Sequence, residues 1–132
     1  MGTDPKIVAF CCEHSGTLAA RMASVSKTPR VNSIEMVSVP CTGSVQTIDI
    51  LKAFRSGADG VAIFGCHEDC CKHLVGNQRA KRRVKYVADI LAEIGWNPER
   101  VAFFSVAAVE GEVFRDRLGE VVDRLRGLTV GR

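Results

Sequence analysis

Short apolar runs alternate with amphipathic stretches along the 132 residues, and this alternation predicts four β-then-α units. The runs are almost continuously apolar, as strands of a parallel sheet are when helices cover both faces. Such alternation also favours right-handed crossovers. We therefore predict a single-domain three-layer α/β fold of the flavodoxin or Rossmann type over residues 1–132. Its predicted strands are Lys6–Cys12, Ser33–Val39, Gly60–Phe64 and Val101–Val106.

Helical spacing of apolar residues predicts the segments between and after these strands. A short helix is expected within Gly16–Val25. The next helix should have Ser44 as its N-cap and end at Gly57, with this apolar stripe: Val45, Ile48, Leu51 and Phe54. Asn77 should cap a third helix that ends at Gly95, with the stripe Val84, Val87, Ala88, Leu91 and Ile94. A last helix from about Gly111 should bury Val113, Phe114, Leu118, Val121, Val122 and Leu125.

All six cysteines stand at or just after the ends of predicted strands. Cys11 and Cys12 end the first strand, and Cys41 follows the second; the third strand leads into Cys66, Cys70 and Cys71. Parallel strands place their carboxyl ends on one edge of the sheet, where sites assemble in such folds. The pattern therefore predicts one site at which thiols from three strand ends converge.

Composition limits the classes of protein to which this site could belong. The hydrophobic fraction is 46% and the charged fraction 25%, which are ordinary values for a globular domain. No apolar run approaches the roughly 18 residues of a membrane span, and no signal-peptide pattern is visible. We therefore expect a cytoplasmic protein, in which six cysteines indicate metal binding or catalysis rather than disulfides.

Several chemistries remain open for these thiols. Four thiolates select zinc or an iron–sulfur cluster over hard cations. A structural zinc site usually has Cys-x2-Cys pairs, which are absent here, so ligands on separate strand ends favour a [2Fe–2S] cluster. Zinc, redox chemistry at the vicinal pairs Cys11–Cys12 or Cys70–Cys71, and simple burial are the alternatives. His67 is a less favoured ligand.

Two catalytic interpretations fail on the residues themselves. A phosphatase-like cradle needs an arginine shortly after the first-strand cysteine, but Thr17 and Leu18 stand six residues after Cys11 and Cys12. Glycine-rich phosphate loops are also absent. Neither of these two activities is therefore expected of this chain.

Residues 79–85 hold five basic side chains and no acid. They are Arg79, Lys81, Arg82, Arg83 and Lys85. This stretch is either a solvated helix face or a docking surface for an acidic partner. Nucleic acid is not expected as the partner, because no aromatic residues interleave the basic ones.

Several motifs together resemble the delta subunit of methyl-viologen-reducing hydrogenase. They are Gly57-Ala-Asp-Gly60, Gly65-Cys66-His67, Cys71, Gly76-Asn77, Arg82-Arg83-Val84 and Pro98-Glu99-Arg100-Val101. The resemblance extends from Ile7 to about Leu125 and is most specific from Cys41 to Arg83.

The resemblance implies a ligand set and a role. Cys12, Cys41, Cys66 and Cys71 match the cysteines of the family, whereas Cys11 and Cys70 stand where the family has a variable residue and an aspartate. The four matching thiols would hold one [2Fe–2S] cluster. Backbone N–H groups near Thr42–Ser44 and the helix start at Asn77 would donate hydrogen bonds to cluster sulfur.

The implied role is that of a non-catalytic electron-transfer subunit in an oxidoreductase complex. Its partners would be a hydrogenase, or another electron donor, and the flavoprotein of a heterodisulfide-reductase-type complex. One departure stands out, because Ser15 occupies the position of a second first-strand cysteine in the family. A zinc-binding or metal-free adaptor domain of such a complex is the alternative.

Overall fold

The computed structural model describes residues 6–13, 34–65, 76–106 and 111–128. Four parallel strands form one sheet in the order β2-β1-β3-β4, which confirms the predicted α/β fold. The strands are β1 (Ile7–Cys12), β2 (Ile34–Val39), β3 (Gly60–Gly65) and β4 (Val101–Ser105). The helices of the described part are α1 (Thr47–Arg55), α2 (Gly76–Glu93) and α3 (Gly111–Leu128), with 3₁₀ turns at Thr42–Ser44 and Pro98–Arg100. The helix expected within Gly16–Val25 lies outside the described residues.

Helices cover both faces of the sheet. On one face α3 packs over β1 and β3, with the rings of Phe64 and Phe114 4.4 Å apart between centroids. On the other face α1 and α2 pack over Val8, Val61 and Ile63. Side chains alternate along each strand, so neighbouring residues enter different halves of the core. No helix within the described ranges is long and apolar enough to cross a bilayer.

The strand register aligns Cys11 and Cys12 of β1 with the carboxyl ends of the neighbouring strands β2 and β3. Cys12 lies opposite Val39 of β2, and Cys11 lies opposite Phe64 of β3. The carboxyl ends of three strands therefore meet at one edge of the sheet. The predicted convergence of strand ends is confirmed for the backbone.

The start of α1 differs from the prediction. Ser44 is the last residue of a 3₁₀ turn, and the helix begins at Thr47 with Gln46 as its N-cap. The carboxylate of Asp49 accepts a hydrogen bond from the Gln46 N–H at 2.8 Å, so the third helical residue caps the first turn. Because Val45 precedes the helix, it does not set the helical phase. Ile48 is 55% exposed, and Ile50, which lies on the opposite side of the helix, is buried instead.

Helix α2 differs from the prediction at its start and at the last position of its apolar stripe. Gly76 is already helical, so Asn77 lies within the first turn and is not its N-cap. Ile94 follows the last helical residue and is 61% exposed, whereas Val84, Val87 and Leu91 are buried as predicted. The predicted stop glycines are confirmed. Gly57 and Gly95 have φ values of 106° and 87°, a conformation that glycine adopts without strain.

Candidate metal centre at the carboxyl edge of the sheet

Cys12 and Cys41 lie on neighbouring strand ends and are brought together by the register. The Cys12 thiol lies 3.9 Å from the carbonyl oxygen of Pro40, the residue before Cys41. Beyond the strand, the Glu13 N–H donates to the Val39 carbonyl at 2.8 Å and continues the β1–β2 ladder. Both thiols are buried, with exposures of 2% for Cys12 and 8% for Cys41. Two of the four predicted ligands are thus buried near the ends of adjacent strands, with the Cys12 thiol beside the residue that precedes Cys41.

The loop that carries Cys41 is organised around its thiol. Cys41 is the N-cap of the turn Thr42–Ser44, and its Sγ accepts a hydrogen bond from the Gly43 N–H at 3.4 Å. The hydroxyl of Ser44 donates to the Cys41 carbonyl at 2.6 Å. A hydrogen bond donated to sulfur favours the thiolate, which is the form that binds a metal. This donor belongs to the segment in which the sequence predicts sulfur-binding N–H groups.

Gly65, the residue before Cys66, packs directly against the same loop. A Cβ atom on Gly65 would lie 3.0 Å from the Thr42 hydroxyl oxygen and 2.9 Å from Cζ of Phe103. A side chain at position 65 would therefore push the end of β3 away from the Cys41 loop. Because Cys66 is bonded to Gly65, this close approach brings a third strand end to the site. In the sequence, the Gly65-Cys66 pair marks this end of β3.

Cys11 lies apart from this group. It belongs to the core beneath α3, together with Phe64 and Phe114, whereas Cys12 lies on the opposite face of β1. Burial raises the pKa of the Cys11 thiol to about 12, and the neighbouring Cys12 adds to the shift. Burial thus favours the neutral form of this thiol, as its place in the apolar core beneath α3 requires. The alternation of β1 also argues against a redox pair formed by Cys11 and Cys12.

The remaining predicted ligands lie outside the described residues. These are Cys66, Cys71, Cys70 and His67. Within residues 6–13, 34–65, 76–106 and 111–128, no group of three or more metal-ligating side chains occurs. The described half of the site nevertheless fits a thiolate-bound metal. It offers two buried thiols, Cys12 and Cys41, and a hydrogen bond from the Gly43 N–H to the Cys41 sulfur. Gly65 lets the strand that leads to Cys66 approach the Cys41 loop.

The basic stretch lies on the first turns of α2, close to the same edge. Arg79, Lys81, Arg82 and Lys85 are exposed, and the Lys81 ammonium lies 5.6 Å from the centre of the Phe103 ring. Since Phe103 also approaches Gly65, Lys81 places a positive charge beside the strand end that leads to Cys66. Arg83 differs from the other four: it is half-buried and donates to main-chain carbonyls of the Cys41 loop.

Tyr86 is a surface feature that sequence reasoning missed. It is 59% exposed and stands four residues after Arg82, so both side chains lie on the same outward side of α2. Tyrosine and arginine are enriched among the residues that dominate protein–protein binding. The helical spacing of Arg79, Arg82 and Tyr86 was the available signal.

Comparison with protein families gives one match over almost the whole chain. Residues 7–129 match the family described as methyl-viologen-reducing hydrogenase, delta subunit. This match spans all four strands and includes every candidate cysteine.

Individual relatives are similar over nearly their full length. The chain is 38% identical to the iron–sulfur subunit of an F420-non-reducing hydrogenase from Methanococcus voltae over 125 residues, 95% of this chain and 87% of that protein. The corresponding protein of Methanocaldococcus jannaschii is 34% identical over 125 residues, 95% of this chain and 93% of that protein.

A different kind of relative is a much longer chain. It is a component of the ferredoxin/F420H2-dependent CoB–CoM heterodisulfide reductase of Methanosarcina acetivorans. The two chains are 33% identical over 121 residues, which make up 92% of this chain but only 15% of that protein. The similarity is therefore confined to one segment of the reductase component.

Proposed function

Because the chain belongs to the family of the methyl-viologen-reducing hydrogenase delta subunit, we propose that it is an electron-transfer subunit carrying one [2Fe–2S] cluster. The proposed ligands are Cys12, Cys41, Cys66 and Cys71. The relatives named as iron–sulfur subunits support a cofactor of this general kind. Four thiolates on three strand ends suit a two-iron cluster better than a single ion.

The observation that carries the proposal is the close approach of three strand ends. Cys12 lies beside Pro40, and Thr42 lies against Gly65, so the residues flanking Cys41 touch the segments that bear the other ligands. Scattered core cysteines would not require a glycine at position 65. Cys11, which points into the other half of the core, is not part of the proposed set.

In this role the chain makes and breaks no substrate bond. A bound cluster supplies one-electron transfer, and the residues of this chain hold and tune it. Cys12 and Cys41 are shielded from water, which limits hydrolysis and sets the local polarity. The Gly43 N–H donates to the Cys41 sulfur, and such hydrogen bonds raise the reduction potential of iron–sulfur centres.

A relay subunit needs an electron donor and an acceptor in contact with it. The similarity to one segment of a heterodisulfide reductase component supports such a neighbour, because the same domain exists there within a longer chain. We propose a heterodisulfide-reductase-type flavoprotein as one partner and a hydrogenase or other donor as the second, in a cytoplasmic complex. The exposed residues Arg79, Lys81, Arg82 and Lys85, joined by Tyr86, form the proposed docking surface for an acidic partner.

The cluster is tested by anaerobic purification and reconstitution of the whole chain. The expected product is brown and contains about two irons and two sulfides per chain, as a [2Fe–2S] centre requires. Replacing any one of Cys12, Cys41, Cys66 or Cys71 by serine should lower the iron content or change the visible and EPR spectra. Cys11→Ser is the matched control and should bind iron like wild type.

Either of two results would contradict this proposal. A colourless protein that takes up one zinc per chain after anaerobic reconstitution would indicate the adaptor function. Full iron content in Cys12→Ser and loss of iron in Cys11→Ser would show that the ligand assignment is wrong.

A further inference from the structure

The side chain of Arg83 is directed at the loop that carries Cys41. Its Nη1 donates to the carbonyl oxygens of Gly43 and Val45, the second at 2.8 Å. These residues lie in and just after the turn Thr42–Ser44, 40 and 38 residues away in sequence. A guanidinium donates in fixed directions, so two bonds to one loop restrict both its distance and its orientation.

Both polar groups of Gly43 are engaged in this arrangement. Its N–H donates to the Cys41 sulfur at 3.4 Å, and its carbonyl accepts from Arg83. Rotation of this residue would weaken both hydrogen bonds together. The orientation of the Gly43 N–H, and with it the position of the Cys41 thiol, is thus coupled to the side chain of Arg83.

We infer that Arg83 is a positioning residue that fixes the Cys41 thiol by holding its loop against α2. Helix α2 follows the segment that contains Cys66 and Cys71, so Arg83 also ties two ligand-bearing parts of the chain together. The consequence for the cluster rests on the proposed function. The contact itself involves only protein atoms and can be tested in the metal-free protein.

This role separates Arg83 from its basic neighbours. Arg79 and Arg82 are exposed and their charges are free to meet a partner, whereas Arg83 is half-buried with its donors directed inward. A docking charge acts through long-range attraction that salt screens. A side chain that holds a loop acts through short hydrogen bonds that respond little to salt. Salt dependence therefore distinguishes the two roles.

The first experiment measures alkylation of Cys41 in the reduced, metal-free chain, followed by peptide mass spectrometry. Arg83→Gln leaves the Gly43 and Val45 carbonyls without their charged donor, and loop opening should make Cys41 react roughly tenfold faster. Arg83→Lys retains a charged donor, so its Cys41 alkylation rate should lie between those of wild type and Arg83→Gln. Arg55→Gln is the matched control, because Arg55 is an exposed arginine on α1. Cys41 in this control should be alkylated at the wild-type rate.

Global stability is followed by urea unfolding of the same variants. A faster Cys41 reaction in Arg83→Gln or Arg83→Lys at unchanged stability supports the inference. If Arg83→Gln does not fold, Arg83→Lys decides: a wild-type Cys41 rate in that variant overturns the inference. A Cys41 rate within twofold of wild type in folded Arg83→Gln overturns it as well.

The second experiment uses the reconstituted protein. Arg83→Gln should alter the EPR signal of the reduced centre and lose iron several-fold faster to a chelator, equally at low and high salt. Arg83→Lys should show a smaller change in the signal than Arg83→Gln. An unchanged signal in Arg83→Gln, or an effect that disappears at high salt, contradicts the positioning role. Failure of the wild-type chain to take up iron would remove the proposed cluster and leave the alkylation result standing, so the two ideas fail separately.

Discussion

Gly65 and Thr42 are in such close contact that a single added methyl group would lie 3.0 Å from the Thr42 hydroxyl oxygen. Gly65 ends β3, and Thr42 follows Cys41 in the turn after β2. The pair therefore sets the distance between two strand ends that are not neighbours in the sheet. Glycine is required here by space, since its backbone conformation is accessible to other residues.

Gly65→Ala should displace the Cys41 loop and destabilise the fold by about 1–3 kcal/mol, as overpacking of a close contact typically does. The variant should also bind less iron on reconstitution. Adding Thr42→Ala removes one of the two close contacts and should recover part of both losses, which a double-mutant cycle in urea unfolding measures. Additive effects of the two changes would show that the contact does not couple the strand ends.

Cys11 should affect stability at high pH without affecting iron binding. Burial raises its pKa from 9.0 to about 12, so its neutral thiol contributes stability that is complete below pH 9 and is lost as pH rises toward 12. The free energy of unfolding should therefore fall across this window by up to about 1.4 kcal/mol per pH unit.

Comparison of wild type with Cys11→Ala isolates this contribution. Urea unfolding of the metal-free proteins between pH 8 and pH 10.5 should show a smaller decline in the variant. Equal slopes in the two proteins would mean that the Cys11 thiol ionises as readily in the folded state as in the unfolded chain. Iron content of the variant should remain that of wild type.

Arg82→Glu should weaken assembly with the partner subunits, because it reverses a charge on the exposed side of α2. We expect roughly three- to tenfold weaker binding at low salt, shrinking as salt increases. Arg117→Glu is the matched control. It makes the same charge change on α3, across the sheet, where Arg117 is 49% exposed and pairs with Glu120. Equal losses in both variants would indicate a general charge effect rather than docking.

Arg100→Met should lower stability without disturbing the proposed metal centre. Arg100 is 1% exposed, donates to the Asp59 carbonyl at 2.9 Å and lies over the Trp96 ring. Removing it leaves a charged hydrogen bond unmade and should cost about 2–3 kcal/mol in urea unfolding. Arg100 precedes β4 and so lies at the amino edge of the sheet, opposite the cysteines. A changed EPR signal in this variant would show that the two edges are coupled.

The elements were largely predictable, whereas the N-caps of their helices were not. Strand β3 is a short apolar run between glycines and was placed to within one residue. The start of α1 was wrong, because Ser44 and Gln46 both offer plausible caps and only the fold engages Ser44 with Cys41. Ile48, predicted to be buried, is exposed because α1 packs against the core through the side that carries Ile50 and Phe54.

The sequence by itself determined the parallel α/β fold and the edge of the sheet at which the strands end, because apolar periodicity and strand ends are local properties of the chain. Tertiary structure alone decided on which face of the sheet each of the adjacent thiols of Cys11 and Cys12 lies. Because side chains alternate along β1, Cys11 lies in the core beneath α3 and Cys12 lies on the opposite face of the sheet. It also decided that Arg83 holds the Cys41 loop while its neighbours remain exposed. Contacts between residues forty positions apart depend on how the helix packs, and no local pattern encodes that.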